Sequence, residues 1–314
     1  LLWKYIRIAL NIFEDTHPPM NMGVVDFEPI HGEVVRFRSF DGTSLRGMHL
    51  RTGRPEDYRG TVIFCHEFNS DMYSCARYAT PLIEAGFDVF TFDFRGHGDS
   101  SCPGSYRPLQ WPSDKDMEDV LGACAYVESC LAAEGKPIEV GMFGVSRGAG
   151  SAILAAAIDP HVKAVICDGA FSTDTTLISF MKRWAYIFAS IRLVYENHTE
   201  GFWRFLLWVL MRAAQPKMGC RYPSVRKALA DMQPRPMMFV HGQRDSYIRV
   251  EQSRLLYDLA PDPKQLWIVE GAKHNQSVIV EKHQYARRTV GFFEEHLATE
   301  SAAEKTAAHS GEVA

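Results

Sequence analysis

A serine at position 146 stands between two glycines in Gly144-Val145-Ser146-Arg147-Gly148. The run 137–143 before it is short and apolar and reads as a strand, and 149–157 after it reads as a helix. A serine on a sharp strand-to-helix turn is held in a strained backbone conformation. Only small flanking residues let strand and helix approach closely enough, which accounts for a glycine at both ends. The turn lifts the hydroxyl above the sheet edge. It also sets Ser146 at a helix N-terminus, where backbone N–H groups meet a developing negative charge. The chemistry such a residue performs is nucleophilic catalysis.

A serine hydroxyl is a poor nucleophile at neutral pH, so it needs a base, and the base needs an orienting acid. Downstream, 236–242 reads as a buried strand with Asp245 just past its end, and 265–270 reads as another strand followed by a loop that carries His274. Both residues therefore sit beyond the C-terminal ends of strands, the edge on which open α/β sheets build their sites. The chain order Ser, Asp, His fits a base and its orienting acid. His66, His97, Asp93 and Asp99 lie near the same edge by motif and read as structural, the two acids holding loops through backbone hydrogen bonds.

The elements that must position these residues alternate. Residues 33–40 and 44–50 read as an antiparallel strand pair, because Asp41-Gly42-Thr43 between them is a strong hairpin signal. Strands follow near 61–66, 88–93, 137–145, 162–168, 236–242 and 264–270, with helices near 74–86, 115–134, 147–158, 250–259 and 277–297. Strands separated by helical patterns imply an α/β fold with a mostly parallel central sheet and helices on both faces.

Two further segments are distinctive: 61–68, ending in Cys65-His66-Glu67-Phe68, and 89–100, containing Arg95-Gly96-His97-Gly98-Asp99-Ser100. With the serine pentapeptide and the downstream acid and histidine, they resemble the α/β-hydrolases, in the serine esterase, lysophospholipase-like and S33 peptidase-like branch. The resemblance runs from about Val34 to about Leu297. It implies Ser146 as nucleophile, His274 as general base and Asp245 as orienting acid. Some relatives carry the acid after the preceding strand, which makes Asp168 the alternative. The backbone N–H groups of Phe68 and Arg147 are implied as oxyanion donors. Where the family has glycine this chain has Glu67; the donor is a backbone amide, so its role survives, and a carboxylate is added near the site. The implied activity is hydrolysis of carboxylic esters through an acyl-enzyme, with no cofactor. Peptidase, thioesterase and acyltransferase chemistry use the same triad, and a ligand-binding relative without catalysis is the alternative from another class. A serine at 146 speaks against halide chemistry, which uses an aspartate there.

Composition narrows the classes further. The chain has 314 residues, 46% hydrophobic and 23% charged, with a formal net charge of -4. These are ordinary values for a soluble globular protein, and the lack of a basic surplus speaks against nucleic-acid binding. The seven cysteines show no Cys-x-x-Cys spacing, so neither zinc nor a disulfide framework is indicated. Buried thiols in a reducing, cytoplasmic compartment are the simplest reading. No residue is assigned as a metal ligand.

Between 171 and 230 the regular alternation breaks. Aromatic clusters at 180–188 and 202–211 read as helices, and nine Lys and Arg stand there against three acids. In the family an insertion here forms a cap over the site. Three readings follow: a helical cap packed on the core, a lid lining a hydrophobic pocket, or a surface that docks on anionic lipid. Each apolar run is too short to span a bilayer. By position alone, Glu67, Asn69, Tyr73, Trp184, Trp208 and Tyr247 are candidates for the pocket. The chain divides into an N-terminal helical extension (1–29), a core (30–170 and 231–298), a helical cap (171–230) and a disordered tail (299–314). The N-terminal segment has no complete signal peptide with a small-residue cleavage site. It reads as an extra packed helix, or as a second point of membrane contact.

Overall fold

The structure is a computed structural model and describes residues 2–15, 28–53, 55–188 and 198–298. The expected tail at 299–314 and part of the N-terminal extension lie outside the described residues.

One eight-stranded sheet has the order β1-β2-β4-β3-β5-β6-β7-β8. β1 (Glu33–Arg38) and β2 (Ser44–Leu50) form the expected antiparallel hairpin, and β2 runs antiparallel to β4 (Phe87–Phe92). β3 (Gly60–Cys65), β4, β5 (Val140–Val145), β6 (Val162–Asp168), β7 (Met237–Gly242) and β8 (Lys264–Val269) are parallel. Every residue of β3, β4, β5 and β7 is buried. A strand covered on both faces has no polar side to alternate, which is why these segments read as continuous apolar runs. β5 starts three residues later than its apolar pattern; Pro137, at the start of that pattern, has no N–H to give a ladder.

Helices cover both faces. α2 (Ala76–Glu84), α9 (Ser277–Val280) and α10 (Lys282–His296) bury Tyr78, Leu82, Val278, Tyr285 and Phe292 on one side. α3 (Asp114–Ala133), α4 (Arg147–Ala156) and α8 (Glu251–Leu259) bury Val120, Val127, Ile153 and Leu256 on the other. Each such side chain contributes ~1.5–3 kcal/mol of burial. The helix expected at 277–297 is broken at Glu281, whose backbone leaves the helical region; nothing in the sequence marks the break.

The segment between β6 and β7 holds α5 (Thr173–Phe188), α6 (Glu200–Met218) and α7 (Val225–Asp231). α5 and α6 pack on each other around Met181, Trp203 and Leu210. α7 is different: its Val225 and Leu229 are buried in the cluster that holds α4 against the sheet. The insertion is therefore divided, two helices standing beyond the sheet edge and one joining the core. α1 (Leu2–Asp15) packs along α6. Phe13 stacks on Trp111 at 5.6 Å, and Glu14 accepts from Lys217 at 2.5 Å. No helix among the described residues is long and apolar enough to cross a membrane.

Candidate active site

Ser146 is the link between β5 and α4, with φ 52° and ψ -114°. That conformation is costly for a residue with a Cβ, by about 1–3 kcal/mol, and persists only where the surroundings enforce it. They do. A Cβ on Gly144 would stand 2.5 Å from the Cα of Ala149, and one on Gly148 would stand 2.1 Å from the Cys65 carbonyl oxygen. The two glycines are the condition for strand, turn and helix to close on one another, as the sequence implied. The Ser146 N–H donates to the Asp168 carbonyl at 2.7 Å, tying the turn to β6.

The tertiary structure brings three distant residues into line. The Ser146 hydroxyl lies 2.9 Å from His274 Nε2, and His274 Nδ1 lies 2.6 Å from Asp245 Oδ2. Asp245 follows β7, and its other oxygen accepts the N–H groups of Tyr247 at 2.9 Å and Ile248 at 2.8 Å. The carboxylate is thus fixed by its own loop, with Oδ2 left to face the imidazole. Burial works to raise the Asp245 pKa. Hydrogen bonds from His241 and His274 outweigh it and hold the group well below the usual carboxylate range. Ser146 is 5% exposed, so its hydroxyl is shielded from most water.

Asp168, the alternative acid, does not reach His274. Its Oδ2 accepts the Tyr285 hydroxyl at 2.7 Å, on the side of the sheet covered by α10. Burial raises its pKa to about 6.

His66, Glu67 and Phe68 follow β3. His66 Nδ1 is 2.6 Å from the Glu67 carbonyl, and His66 Nε2 accepts the Phe94 N–H at 3.2 Å. The Glu67 side chain turns toward α2: it pairs with Arg77 at 3.1 Å and accepts from Ser74 at 3.3 Å. The extra carboxylate expected beside the site is therefore neutralised by a neighbour. Arg147 begins α4, so its N–H belongs to the first helical turn, whose donors point back over Ser146. Its guanidinium is fully buried, 4.8 Å over Phe94 and 5.4 Å over Phe68, and donates to the Leu109 carbonyl at 3.3 Å. Sequence reasoning gave Arg147 only a backbone role; its side chain also fixes the Phe68 ring and the 109 loop.

The pocket candidates separate. The Tyr247 ring is 5.2 Å from the His274 ring, Phe180 is 6.1 Å from Tyr247, and Trp184 is 5.6 Å from Phe180. Tyr247 and Trp184 thus belong to one aromatic wall beside the histidine. Trp111 and Phe171 extend it, through contacts at 6.0 Å to Phe180 and to each other. Trp111 lies in a loop with no hydrophobic period, which is why pattern reasoning passed over it. Asn69 is exposed in a left-handed turn with φ 57°. Tyr73 is 44% exposed and receives Arg46 at 3.3 Å. Trp208 lies on the outer face of α6, stacked on Phe205, away from this wall.

At the opposite, N-terminal edge of β6, Glu128, Asp159 and His161 gather ligand-type atoms within 4.8 Å. His161 Nδ1 lies 3.1 Å from a Glu128 carboxylate oxygen, a direct side-chain contact that accounts for the grouping.

These features define an α/β-hydrolase. The profile of the family described as serine aminopeptidase, S33, matches residues 56–234, more than half of the chain, and the chain belongs to that family. It is similar to the uncharacterized protein YqkD of Bacillus subtilis, 27% identical over 278 residues that cover 86% of this chain and 82% of YqkD. The uncharacterized protein YfhR of Escherichia coli K12 is 26% identical over 272 residues, 85% of this chain and 81% of its own. Among solved structures, the esterase Pf2001 of Pyrococcus furiosus superposes with a TM-score of 0.63 at 19% identity, covering 90% of this chain and 97% of that one. That likeness carries the fold.

Proposed function

We propose that the protein hydrolyses carboxylic esters through an acyl-enzyme on Ser146. The observation that carries this reading is the continuous line Ser146 Oγ, His274 Nε2, His274 Nδ1, Asp245 Oδ2, with separations of 2.9 and 2.6 Å. His274 Nδ1–H donates to Asp245, which fixes the tautomer and leaves Nε2 to take the serine proton. Ser146 Oγ attacks the ester carbonyl. The N–H groups of Phe68 and Arg147 hold the oxyanion, and the proton on Nε2 passes to the departing alkoxide. Water, deprotonated by the same nitrogen, then releases the acid. The aromatic wall from Tyr247 to Trp184 suits an apolar acyl or aryl group.

The family description favours a second reading, an aminopeptidase. That activity needs a free carboxylate for the substrate ammonium. Glu67 is held by Arg77, and the segment 171–230 carries nine cations against three acids, both of which weigh toward the ester. The experiment is hydrolysis of p-nitrophenyl esters of increasing acyl length beside aminoacyl p-nitroanilides, wild type against Ser146→Ala. Ester turnover that the substitution abolishes supports the proposal. Turnover of anilides alone moves the reading to the peptidase. Failure of a fluorophosphonate probe to label Ser146 in folded protein overturns both.

A further inference from the structure

Arg204, Trp208 and Arg212 recur at intervals of about one turn on α6, Phe205 stands one turn before Trp208, and all four are exposed. The other side, with Trp203, Leu210, Ala214 and Met218, is buried. Phe205 and Trp208 are 52% and 56% exposed, and their rings stack at 6.1 Å. The Arg212 guanidinium lies 5.3 Å over Trp208. Three cations of this segment are paired: Lys182 with Glu200, Lys217 with Glu14, and Arg226 with Asp174. Arg204 and Arg212 have no carboxylate partner among the described residues.

We propose that this face docks on an anionic phospholipid bilayer. Phe205 and Trp208 enter the headgroup–acyl boundary while Arg204 and Arg212 pair with lipid phosphates. The argument is charge complementarity joined to apolar exposure. The chain as a whole is at -4, so attraction to an anionic surface is local to this segment, where cations outnumber acids nine to three. A soluble polyanion would satisfy the two arginines and leave both rings in water. A lipid surface satisfies all four residues at once. The same helix supplies Leu207 and Met211 to the cluster that holds Phe180 and Tyr247. Docking would therefore bring lipid within about one helix diameter, ~10 Å, of the wall beside His274.

The test is co-sedimentation of the full chain with vesicles of phosphatidylcholine alone and of phosphatidylcholine mixed with phosphatidylglycerol. The wild type should pellet with the anionic vesicles only, and added salt should weaken the association. Phe205→Ser should weaken it about tenfold, and Arg204→Gln and Arg212→Gln about fivefold each. Lys163→Gln, at the far edge of the sheet, should have no effect. Thermal unfolding monitored by circular dichroism should be nearly unchanged in all four variants, since Arg204, Phe205 and Arg212 are exposed and the Lys163–Glu139 pair is a surface one. Three results would overturn the proposal: no association with either vesicle, association that Phe205→Ser leaves intact, or a concentration-dependent dimer that Phe205→Ser dissolves.

Discussion

The ring of His66 holds the carbonyl of Glu67 at 2.6 Å, and that carbonyl belongs to the same peptide unit as the Phe68 N–H. In a trans peptide the C=O and N–H point in opposite directions, so the group that anchors one aims the other. The ring is itself fixed at its far end by the Phe94 N–H at 3.2 Å, as a neutral tautomer protonated on Nδ1. Burial, and then the charge of Arg147, holds its pKa down to about 3, so the tautomer persists throughout the neutral range. A histidine that reads as structural in the sequence is thus one bond removed from the proposed oxyanion donor. His66→Ala should lower kcat for a p-nitrophenyl ester by about 10²-fold, near the value of one lost donor, with little change in KM. His66→Asn, which keeps an amide donor, should recover part of the loss. Unchanged kcat in His66→Ala would mean that the Phe68 amide keeps its aim without the ring.

His241 gives a second case. It is fully buried, and its Nε2 stands 3.4 Å from the Asp245 oxygen that also faces His274. Nε2 is 2.9 Å from the Ile248 carbonyl, and Nδ1 is 2.7 Å from the Ser253 hydroxyl. Burial works to lower its pKa, but the hydrogen bond and charge of Asp245 outweigh it and the net shift is upward. A group with a raised folded pKa stabilises fully below its ordinary value of 6.5 and loses that contribution as pH rises through the folded value. His241→Phe should cost about 1–3 kcal/mol by leaving buried polar partners unpaired. It should also lower kcat more than it changes KM, because Asp245 loses a holder. His241→Gln should restore kcat in part and flatten the stability profile above pH 6.5. Equal kcat in all three proteins would leave His241 a purely structural role.

Asp168 should report in the opposite sense. Its folded pKa rises from 3.8 to about 6, chiefly by burial, so the folded state binds the proton more tightly than the unfolded chain does. Stability then falls as pH rises across that window. Asp168→Asn keeps an acceptor for the Tyr285 hydroxyl and removes the buried charge. Chemical denaturation at pH 4 and pH 7 should show a smaller pH dependence in the variant, with a gain at pH 7. A wild-type slope retained in full by Asp168→Asn would place the titration elsewhere.

The backbone at Ser146 offers a test of stored strain. With φ 52° and ψ -114°, any residue bearing a Cβ is strained there and glycine is not. Ser146→Gly and Ser146→Ala should both be inactive, yet Ser146→Gly should be the more stable by about 1 kcal/mol in thermal unfolding. Equal melting temperatures would show that the turn stores no strain.

Much of this site was legible in the chain itself. Gly144, Ser146 and Gly148 announce a tight strand-to-helix turn because sterics allow few residues there, and Asp245 and His274 fall beyond apolar runs that read as strands, the first fully buried and the second half-buried. The α/β alternation followed from the same periodicities, since each strand hidden between helices loses its polar face. What the sequence could not decide is which side chains share a point in space. Asp168 and Asp245 both stand at the C-terminal ends of neighbouring strands, Asp168 as the last residue of β6 and Asp245 three residues past β7. Only the packing of α10, which brings the Tyr285 hydroxyl to Asp168, and the turn that seats Asp245 on two backbone N–H groups tell them apart. Trp184 and Trp208 read alike as aromatic residues of helical segments, yet one joins the wall beside His274 and the other faces outward, because helix rotation is fixed by neighbours and not by composition. Periodicity is a local property of the chain, whereas hydrogen-bond partners and the facing of a helix are set by contacts between residues far apart in sequence. The tertiary structure alone decides those.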